Sequence, residues 1–481
     1  MTLAQQAPTP GSLAALAALH GERYRWRLLM TVMIGSIASV MSSTIVNVAV
    51  PDLMRHFAIG QERAQWVAAG FMAAMTLSML PTPWLLARYG YRHTYVGAVS
   101  LLMAGGIAGG LAQHYPLVLA MRVAEGLAAG VLQVIPSIII LRAFGAGERG
   151  RAMGIFGFGV VLAPAVGPSF GGVLVEHFGW RSIFFFVVPF ALWALWLARR
   201  YLPVSAPGGG APGGRSETLD APGLALATVA VLGLLNGLVH LHDASLDSAA
   251  ALLGSGALAL VLFIRHEWRT PRPLLDLRLF RSRPFAMGGV VAFIYGMGLF
   301  GSTYLVPVFM QSALHFPPSQ AGAALMPAGL VLALTIPVAG RLADRVPPHA
   351  LVAAGLALLA LSFVLMATVG PGTLLWVLML WAVVGRIGLG FVLPSLTLGA
   401  MQGLDAAAVP QAASAISFLR QLGGAVGVSL AGIFLEWRLR VRAAAELSAY
   451  ADTFWLVAAL SALATLAALR MRARQRATGA P

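Results

Sequence analysis

Residues 117–141 read LVLAMRVAEGLAAGVLQVIPSIIIL, a run that is long and apolar enough to cross a lipid bilayer as one helix. Glu125 is the only acidic side chain that lies deep inside any long apolar run of this chain. A carboxylate near the centre of a bilayer costs about 3 kcal/mol on insertion scales. Because such a costly residue is rarely kept without a role, Glu125 is a candidate functional residue.

The composition extends this pattern to the whole chain. Hydrophobic residues make up 59% of the 481 residues, charged residues make up 10%, and the mean hydropathy is +0.82. A soluble domain carries about 25% charged residues. Long apolar runs must form helices in lipid, because no backbone polar group can stay unpaired there. The sequence therefore predicts an all-α integral membrane protein and excludes a soluble fold.

Fourteen apolar runs are predicted to span the membrane. Their ranges are 28–50, 64–86, 95–113, 117–141, 151–174, 182–201, 222–241, 249–265, 285–310, 320–341, 349–369, 373–400, 411–435 and 453–470.

The charge distribution supports this layout. The net charge is +15, and all 32 basic residues are arginine. With both termini cytoplasmic, 23 of these arginines face the cytoplasm and six face outside. This asymmetry follows the positive-inside rule. The basic charge therefore indicates membrane orientation rather than nucleic-acid binding.

Several classes of chemistry are missing from the sequence. Cysteine is absent, which excludes disulfides and thiol chemistry. Residues 1–26 lack the apolar core and cleavage site of a signal peptide, so the first span is expected to be uncleaved. We find no phosphate-binding loop, nucleophile elbow or metal-spaced cluster of His, Asp and Glu. The chain is therefore predicted to be no enzyme, with no cofactor, no catalytic residue and no metal site.

A linker and a weak internal repeat divide the chain. Leu85 and Arg88 recur as Leu342 and Arg345 at an offset of about 257 residues. Parallel repeats with a site at their interface are a transporter architecture. The predicted segments are a cytoplasmic N-terminus (1–27), a six-helix bundle (28–202), a Pro/Gly cytoplasmic linker (203–221), two inserted helices with a cytoplasmic loop (222–284), a second six-helix bundle (285–470) and a basic cytoplasmic tail (471–481).

Five motifs together resemble the major facilitator superfamily. GRLADR at 340–345 resembles its cytoplasmic loop motif, GVVLAPAVGPSFGG at 159–172 its fifth-helix antiporter motif, and RVAEGLAAG at 122–130 its fourth-helix motif. STIVNVAVP at 43–51 and LLDLRLFRSRPF at 274–285 are typical of the fourteen-helix drug:proton antiporters of the EmrB/QacA type.

The resemblance implies a secondary transporter of the bacterial inner membrane. Such a protein exports hydrophobic drugs or toxic small molecules in exchange for protons, by alternating access, through a cavity lined by spans one, four, nine and twelve. Its partners would be the lipid bilayer, a small hydrophobic substrate, protons and, as in some relatives, a periplasmic adaptor with an outer-membrane channel. A proton-linked uptake symporter or a uniporter of a small metabolite is the alternative, against which the antiporter motif argues.

Two motifs supply candidate gating residues. Gly159, Gly167 and Gly171 share one helical face, which lets another helix approach closely. Pro168 removes a backbone donor and allows bending. The resemblance implies that this face closes the outward side, and simple tight packing is the alternative.

The loop motif supplies the other gating candidates. Gly340, Asp344 and Arg345 belong to its second copy, and Arg88 belongs to the first. The charged members are expected either to pair with charges or helix ends of the neighbouring bundle or to be solvated positive-inside charges.

Arg122 and Glu125 lie three residues apart and are predicted to pair on one helical face. In one interpretation Glu125 binds and releases the coupling proton, and Arg122 modulates the pKa of its carboxyl. In the other interpretation the two residues form a static buried ion pair. Family members usually have Gln at the position of Glu125. They often carry an acid at the position of Ser42, two residues before Thr44. With Ser42 there, Glu125 is nearly the only membrane carboxylate available for coupling.

The remaining candidates are predicted to line the substrate cavity. They are Ser39, Ser43, Asn47, Gln133, Met297, Phe300, Tyr304, Arg386 and Arg420. Local backbone hydrogen bonding is the alternative for the serines, and core packing or lipid contact is the alternative for the ninth-span residues. The embedded arginines are expected either to attract an anionic substrate or to pair with Glu125.

Overall fold

The computed structural model describes residues 13–206, 212, 218–240, 246–370, 372–441 and 446–472, and within these ranges all regular secondary structure is helical. The predicted N-terminal segment is described from residue 13 onward, whereas about half of the predicted linker and most of the predicted C-terminal tail lie outside the described residues. The helices are α1 (Leu13–His20), α2 (Tyr24–Phe57), α3 (Gln61–Met79), α4 (Thr82–Gly110), α5 (Tyr115–Ala143), α6 (Arg149–Phe178), α7 (Ser182–Phe185), α8 (Val187–Tyr201), α9 (Ala221–His240), α10 (Leu246–Arg269), α11 (Arg283–Ser312), α12 (Pro318–Ala343), α13 (Pro348–Ala367), α14 (Leu375–Ala400), α15 (Val409–Val441) and α16 (Glu446–Leu469), with short 3₁₀ helices at Leu277–Arg281 and Ala406–Ala408.

Most of these helices suit a membrane. Among the described residues, eleven helices are long and apolar enough to cross a bilayer, and α3 with α4 adds a twelfth if that bent pair is counted as one span. Every predicted range overlaps a helix, so the all-α prediction is confirmed. The count of fourteen spans stays a prediction.

The boundary between the second and third predicted spans differs from the structure. Helix α3 ends at Met79, inside the predicted span 64–86, and the chain bends by 81° before α4. Pro81 and Pro83 lie at this bend. Proline lacks a backbone donor and is tolerated mainly in the first helical turn, which explains why one helix stops and another starts here.

A second break lies at Gly90, inside the first copy of the loop motif. Its φ of 75° and ψ of 174° are not helical, and a Cβ there would collide with the Val204 carbonyl oxygen. The next two amides leave the helical pattern: Tyr91 donates to the Ser205 carbonyl at 3.2 Å and Arg92 to the Pro203 carbonyl at 3.0 Å. Glycine is needed here because only it adopts this backbone without strain.

The chain separates into two compact units. Unit 1 comprises Met1–Gly145, Gly159–Asp220 and Asp405–Ser414, and unit 2 comprises Ala146–Phe158, Ala221–Leu404 and Ala415–Pro481. Two helices, α6 and α15, contribute residues to both units. The predicted domain boundaries stay a prediction.

Unit 1 is built around α5. Helices α3 and α4 pack along α5, and α2 packs on α5 and α8. At one end of the unit, Ile45 and Val46 of α2 are buried against Trp180 and Phe184. Near the start of α2, the Tyr95 hydroxyl of α4 donates to the Thr31 carbonyl at 2.7 Å. These contacts hold α2 in place within unit 1, beside α5, where the charged candidates lie.

Unit 2 has its own core. Helix α13 packs against α14 and α16, α12 packs against α14, and the inserted helices α9 and α10 pack on each other. Phe309 packs edge-on against Phe454, with ring centroids 5.1 Å apart. Edge-to-face aromatic pairs of this kind stabilise a core by about 0.5–1.5 kcal/mol beyond the area they bury.

Candidate functional site

The centre of the candidate site is an ion pair on one face of α5. Arg122 Nη1 donates to Glu125 Oε2 at 2.6 Å, and each residue is only 1% exposed. Residues three apart on a helix meet on the same face, so the spacing in the sequence already brings them together. The predicted pairing of Arg122 with Glu125 is present in the structure, but its role is not decided by this contact.

Ser42 completes the pair from α2. Its hydroxyl donates to Glu125 Oε2 at 3.3 Å and accepts a hydrogen bond from Arg122 Nη1 at 2.9 Å. The sequence analysis noted Ser42 only because family members often carry an acid at this position. The structure shows that a carboxylate at this position would stand directly beside Arg122 and Glu125.

Arg122 has further partners on α3. Its Nε donates to the Val67 carbonyl at 3.2 Å, and its guanidinium carbon lies 4.3 Å from the centroid of the Phe71 ring. A cation over an aromatic face gains about 2 kcal/mol when both are shielded from water. The guanidinium is thus held by three helices rather than by Glu125 alone. No residue pattern in the sequence pointed to Val67 or Phe71.

Glycines on α4 make room for the carboxylate. A Cβ at Gly105 would lie 2.7 Å from Glu125 Cγ, and a Cβ at Gly106 would lie 3.4 Å from Glu125 Oε1. The side chain of Glu125 therefore occupies space that larger residues on α4 would fill. This close fit explains why the carboxylate is buried.

The two serines of α2 that are cavity candidates use their hydroxyls mainly on the backbone. Ser39 donates to the Ser36 carbonyl at 2.8 Å, and Ser43 donates to the Val40 carbonyl at 2.7 Å. Gln133 Nε2 of α5 donates to Ser39 Oγ at 3.4 Å. Local backbone bonding, the alternative weighed for these serines, is therefore what the structure shows for Ser39 and Ser43. The predicted place of these serines in a substrate cavity stays a prediction.

Asn47 lies one turn beyond Ser43 along α2. Its side chain is exposed, whereas Gln133 is buried. The four polar cavity candidates of unit 1 thus divide into three that engage protein groups and one that faces outward. A substrate role for them stays a prediction.

The glycine face of α6 packs against α2. A Cβ at Gly159 would lie 3.0 Å from Met33 Sδ, one at Gly167 would lie 2.8 Å from Thr44 Oγ1, and one at Gly171 would lie 2.6 Å from Ile45 Cγ1. The close helix approach predicted from the spacing is present, and its role in gating stays a prediction. The side chain of Pro168 is outside the described residues.

The loop motif contacts the start of α6 within unit 2. Asp344 accepts hydrogen bonds from the Gly150 amide at 2.6 Å and the Arg151 amide at 2.8 Å. The first amides of a helix lack intrahelical partners and carry partial positive charge, so a carboxylate stabilises them. This agrees with the expected contact of Asp344 with a helix end. Arg345 is exposed and Arg88 is half-buried, so the structure leaves their gating role a prediction.

Gly340 allows this contact to form. A Cβ at Gly340 would lie 2.7 Å from the Gly154 Cα and closer still to the Gly150 carbonyl oxygen. The sequence analysis did not single out Gly150 or Gly154. Their four-residue spacing at the start of α6 is the signal that could have pointed to this crossing, since small residues four apart let helix backbones touch.

The ninth-span candidates pack against glycines of α15. A Cβ at Gly427 would lie 2.7 Å from Met297 Cβ, and one at Gly424 would lie 2.8 Å from Phe300 Cε2. Met297 and Phe300 thus pack against α15, as the core-packing alternative expects, and their place in a substrate cavity stays a prediction. Tyr304, one turn further, is 40% exposed.

Two embedded arginines lie in unit 2. Arg386 Nη2 of α14 donates to Thr303 Oγ1 of α11 at 3.3 Å. The backbone of Arg420 in α15 lies against α11: its carbonyl oxygen is so close to Gly296 that a Cβ there would collide with it. Both side chains are half-buried. Within unit 1 the partner of Glu125 is Arg122, and the expected roles of Arg386 and Arg420 stay predictions.

Nothing in the described part of the chain resembles a metal site, since no group of three His, Asp or Glu residues is close enough to hold an ion. The chemistry available at the candidate site is therefore that of one buried carboxylate, its arginine and the hydroxyl of Ser42.

Comparison with known proteins agrees with this arrangement of helices. Residues 32–428 match the model of the family described as Major Facilitator Superfamily. The chain is 30% identical over 420 residues to a multidrug resistance protein B homolog of Mycobacterium tuberculosis (strain H37Rv), which covers 85% of this chain and 77% of the relative. It is 26% identical over 412 residues to the lincomycin resistance protein LmrB of Listeria monocytogenes, covering 84% and 85% of the two chains.

A solved structure shares the fold. The human organic anion transporter MFSD10 superposes with a TM-score of 0.67 at 19% identity, covering 92% of this chain and 99% of that chain. At this identity the likeness concerns the fold alone.

Proposed function

Because the chain belongs to the major facilitator superfamily, we propose that it is a proton-coupled exporter of hydrophobic drugs or other toxic small molecules. Relatives named for multidrug and lincomycin resistance support the substrate class. In this proposal the protein works by alternating access in the bacterial inner membrane, with both termini in the cytoplasm. The excess of arginine in the predicted cytoplasmic segments supports that orientation.

The buried Arg122–Glu125 pair carries the proposal of proton coupling. An exporter that exchanges protons for substrate needs a group that changes protonation where both sides of the membrane can reach it in turn. Glu125 is a carboxylate buried on α5 and bonded to Arg122 and Ser42. An intramembrane acid of this kind is a functional site by default, because its desolvation is costly.

Proton binding to Glu125 would release Arg122. A protonated carboxyl no longer balances the guanidinium, and an uncompensated buried charge is strongly destabilising. Arg122 keeps the Val67 carbonyl, the Ser42 hydroxyl and the Phe71 ring as partners. These partners stabilise the guanidinium when its bond to Glu125 is broken, so Arg122 still has hydrogen-bond and ring contacts in that state.

The same step would alter helix packing. Ser42 belongs to α2, and Val67 and Phe71 belong to α3, so moving the guanidinium shifts contacts among three helices of unit 1. In this proposal the glycine face of α6 on α2 and the Asp344 contact with the start of α6 reform as the protein alternates between states. Their tight fit supports a role in which a small separation breaks many contacts at once.

The test is transport by purified protein in proteoliposomes. Ethidium and lincomycin serve as probes, with an imposed pH gradient as the driving force. We expect wild-type protein to move a probe against its gradient only when protons flow the opposite way. Probe movement in the same direction as protons would instead support an uptake symporter, and movement without any gradient dependence would support a uniporter.

The site assignment has a matched control. Glu125→Gln is expected to abolish gradient-driven transport while leaving downhill exchange of the probe. Glu176→Gln removes an exposed carboxyl of α6 in the same unit and is expected to behave like wild type. Gradient-driven transport that survives in Glu125→Gln overturns the proton role of Glu125.

The partners follow from the same proposal. They are the lipid bilayer, the small hydrophobic substrate and protons, together with a periplasmic adaptor and an outer-membrane channel if the protein works across two membranes. Co-purification of an adaptor from crosslinked cells is the measurement that tests the last of these.

A further inference from the structure

A crevice in unit 2 lies between α11, α15 and α16. Its volume is about 470 Å³, and its walls are mainly glycines and apolar side chains, among them Ile294, Met297, Leu430, Phe434, Leu456 and Leu460. All of its lining residues belong to unit 2. A volume of this size is within the range of small-molecule sites, so the crevice can hold an organic ligand.

Gly301 shows that this space is a gap in the packing of the helices. The residue lines the crevice and is buried in α11, yet a Cβ there would meet no atom within 4 Å. Protein interiors are normally close-packed, and an apolar gap lowers stability. A ligand that fills the crevice would therefore stabilise this part of unit 2.

The walls offer few polar groups to a ligand. Among the lining residues, only Ser461 and Trp437 carry a polar side-chain group, and the Ser461 hydroxyl donates to the Val457 carbonyl of its own helix at 2.8 Å. Sites for drug-like molecules usually contain a few precisely placed polar groups. Walls of this kind suit an alkyl chain better than a drug.

The dimensions of the crevice match one leaflet of a bilayer. The part of α15 that lines it runs from Gly427 to Trp437, and these ten residues rise about 15 Å. The hydrocarbon core of a bilayer is about 30 Å thick, so the crevice spans half of it. Leu430 is 39% exposed and Trp437 is 52% exposed. Exposed apolar side chains on a spanning helix suit contact with lipid, which gives an acyl chain access to the crevice.

Charged residues lie at the end of the crevice that Trp437 forms. The guanidinium carbon of Arg438 lies 5.3 Å from the centroid of the Trp437 ring, and Arg438 Nε donates to Asp452 Oδ2 at 2.7 Å. Arg440, one turn beyond Trp437, pairs with Glu436. All four charged side chains are partly exposed. Tryptophan and arginine at a helix end are typical of the headgroup level of a membrane.

The charges at this end balance one another. Two arginines are matched by two carboxylates, so a headgroup that carries one charge of each sign fits better than an anion or a cation alone. A lipid phosphate can accept hydrogen bonds from Arg440. A primary ammonium has three N–H donors and can donate to Glu436, whereas a quaternary ammonium has none.

We propose that the crevice binds one phospholipid with an ethanolamine headgroup. One acyl chain lies between α11, α15 and α16, and the headgroup lies at Trp437, Arg440 and Glu436. In the orientation proposed above, this end of α15 lies in the outer leaflet. The inference goes beyond the export function and does not depend on it, because it concerns a resident lipid and not the transported molecule.

The test counts the lipids that bind to purified protein. Delipidated protein in detergent is mixed with equal amounts of dioleoyl phosphatidylethanolamine, phosphatidylcholine and phosphatidylglycerol, and native mass spectrometry measures how many molecules of each lipid are bound. The three lipids have the same acyl chains, so any preference among them comes from the headgroup. We expect wild-type protein to bind one phosphatidylethanolamine in preference to the other two lipids.

Filling the crevice is expected to remove this lipid. Gly301→Leu places a side chain in the empty space and should lose most of the bound phosphatidylethanolamine. Gly432→Leu is the matched control, because Gly432 does not line the crevice and a Cβ there also meets no atom within 4 Å. The control should bind lipid like wild type.

Neutralising the headgroup partner is expected to change the preference and not the total. Wild-type protein should favour phosphatidylethanolamine over phosphatidylcholine about fivefold, the ratio that one modest hydrogen bond gives. Glu436→Gln should lose most of that preference. Glu176→Gln removes an exposed carboxyl from α6 in the other unit and should keep it.

Equal lipid binding by wild-type protein and Gly301→Leu overturns the proposal, as does equal binding of the three lipids by wild-type protein. Each variant is checked by size-exclusion chromatography. If Gly301→Leu does not fold, Ala431→Leu fills the same crevice from α15 and gives the same comparison. Displacement of the bound lipid by ethidium would show that the crevice is a substrate site, which also overturns the lipid assignment while leaving the export function in place.

Discussion

Ser42 donates a hydrogen bond to Glu125 Oε2 across the contact of α2 and α5, at 3.3 Å. The sequence resemblance implies that relatives often carry an acid at the position of Ser42 and usually glutamine at the position of Glu125. The structure places the two positions in direct contact, with Arg122 bonded to both. The carboxylate of this chain therefore lies on a different helix from the one that the family pattern implies, but beside the same arginine.

Moving the acid back to α2 is expected to restore function. Glu125→Gln alone should lose gradient-driven transport, and the double variant Ser42→Asp/Glu125→Gln should regain it, because either position puts a carboxylate next to Arg122. The measurement is pH-gradient-driven ethidium transport in proteoliposomes. As a control, Ser137→Asp/Glu125→Gln adds an acid elsewhere on α5 and should stay inactive. A double variant at Ser42 as inactive as Glu125→Gln would show that the location on α5 matters in itself.

Breaking the ion pair from the arginine side is expected to destabilise the protein. Arg122→Met leaves the buried Glu125 without its cation, which costs about 3–5 kcal/mol. Replacing both residues, in Arg122→Met/Glu125→Met, removes the unbalanced charge and should recover most of that loss while transport remains absent. Thermal unfolding in detergent at neutral pH reports the order of stabilities. A double variant less stable than Arg122→Met would contradict the account of the pair.

Adding a methyl group at Gly340 is expected to impair transport. In Gly340→Ala the new carbon would collide with Gly154 and the Gly150 carbonyl, so α12 and α6 must separate. Gly329→Ala lies on the same helix with nothing within 4 Å of the added carbon. Because alanine favours a helix by about 1 kcal/mol over glycine, the control should be neutral or stabilising. Initial ethidium transport rates distinguish the two, and equal rates would rule out a functional role for this crossing.

Removing the Asp344 carboxylate is expected to weaken the start of α6. Asp344→Ala loses both hydrogen bonds to the Gly150 and Arg151 amides, a loss of about 1 kcal/mol for a helix cap. If the contact must form in only one transport state, the variant should change the transport rate more than the unfolding temperature. Asp247→Ala, an exposed acid in the first turn of α10, provides the comparison. A lower unfolding temperature with an unchanged rate would mean that the contact is structural only.

The helices were predictable because the bilayer restricts the chain to them. Apolar runs such as 117–141 have no alternative to helix in lipid, and the structure has a helix for every predicted range. The second-span boundary was missed because Pro81 and Pro83 lie within an apolar run, where hydropathy gives no sign of a bend. Local backbone geometry at proline decides such a break.

The site was predictable only where its members lie on one helix. Arg122 and Glu125 are three residues apart, so helical geometry alone brings them together. Ser42, Val67 and Phe71 come from other helices, and a single sequence carries no signal of which side chains meet across helices. The serines of α2 show a second limit of the sequence. They were predicted to line a cavity, but the hydroxyls of Ser39 and Ser43 donate to backbone carbonyls of their own helix, which residue type alone does not reveal.

The proton role of Glu125 can be measured most directly without a membrane gradient. Purified protein in weakly buffered detergent solution at neutral pH is mixed with ethidium, and the pH of the solution is recorded. If substrate and proton compete through Glu125, wild-type protein releases protons on binding ethidium, Glu125→Gln binds ethidium without release, and Ser42→Asp/Glu125→Gln releases protons again. Proton release of equal size from wild type and Glu125→Gln would contradict the account.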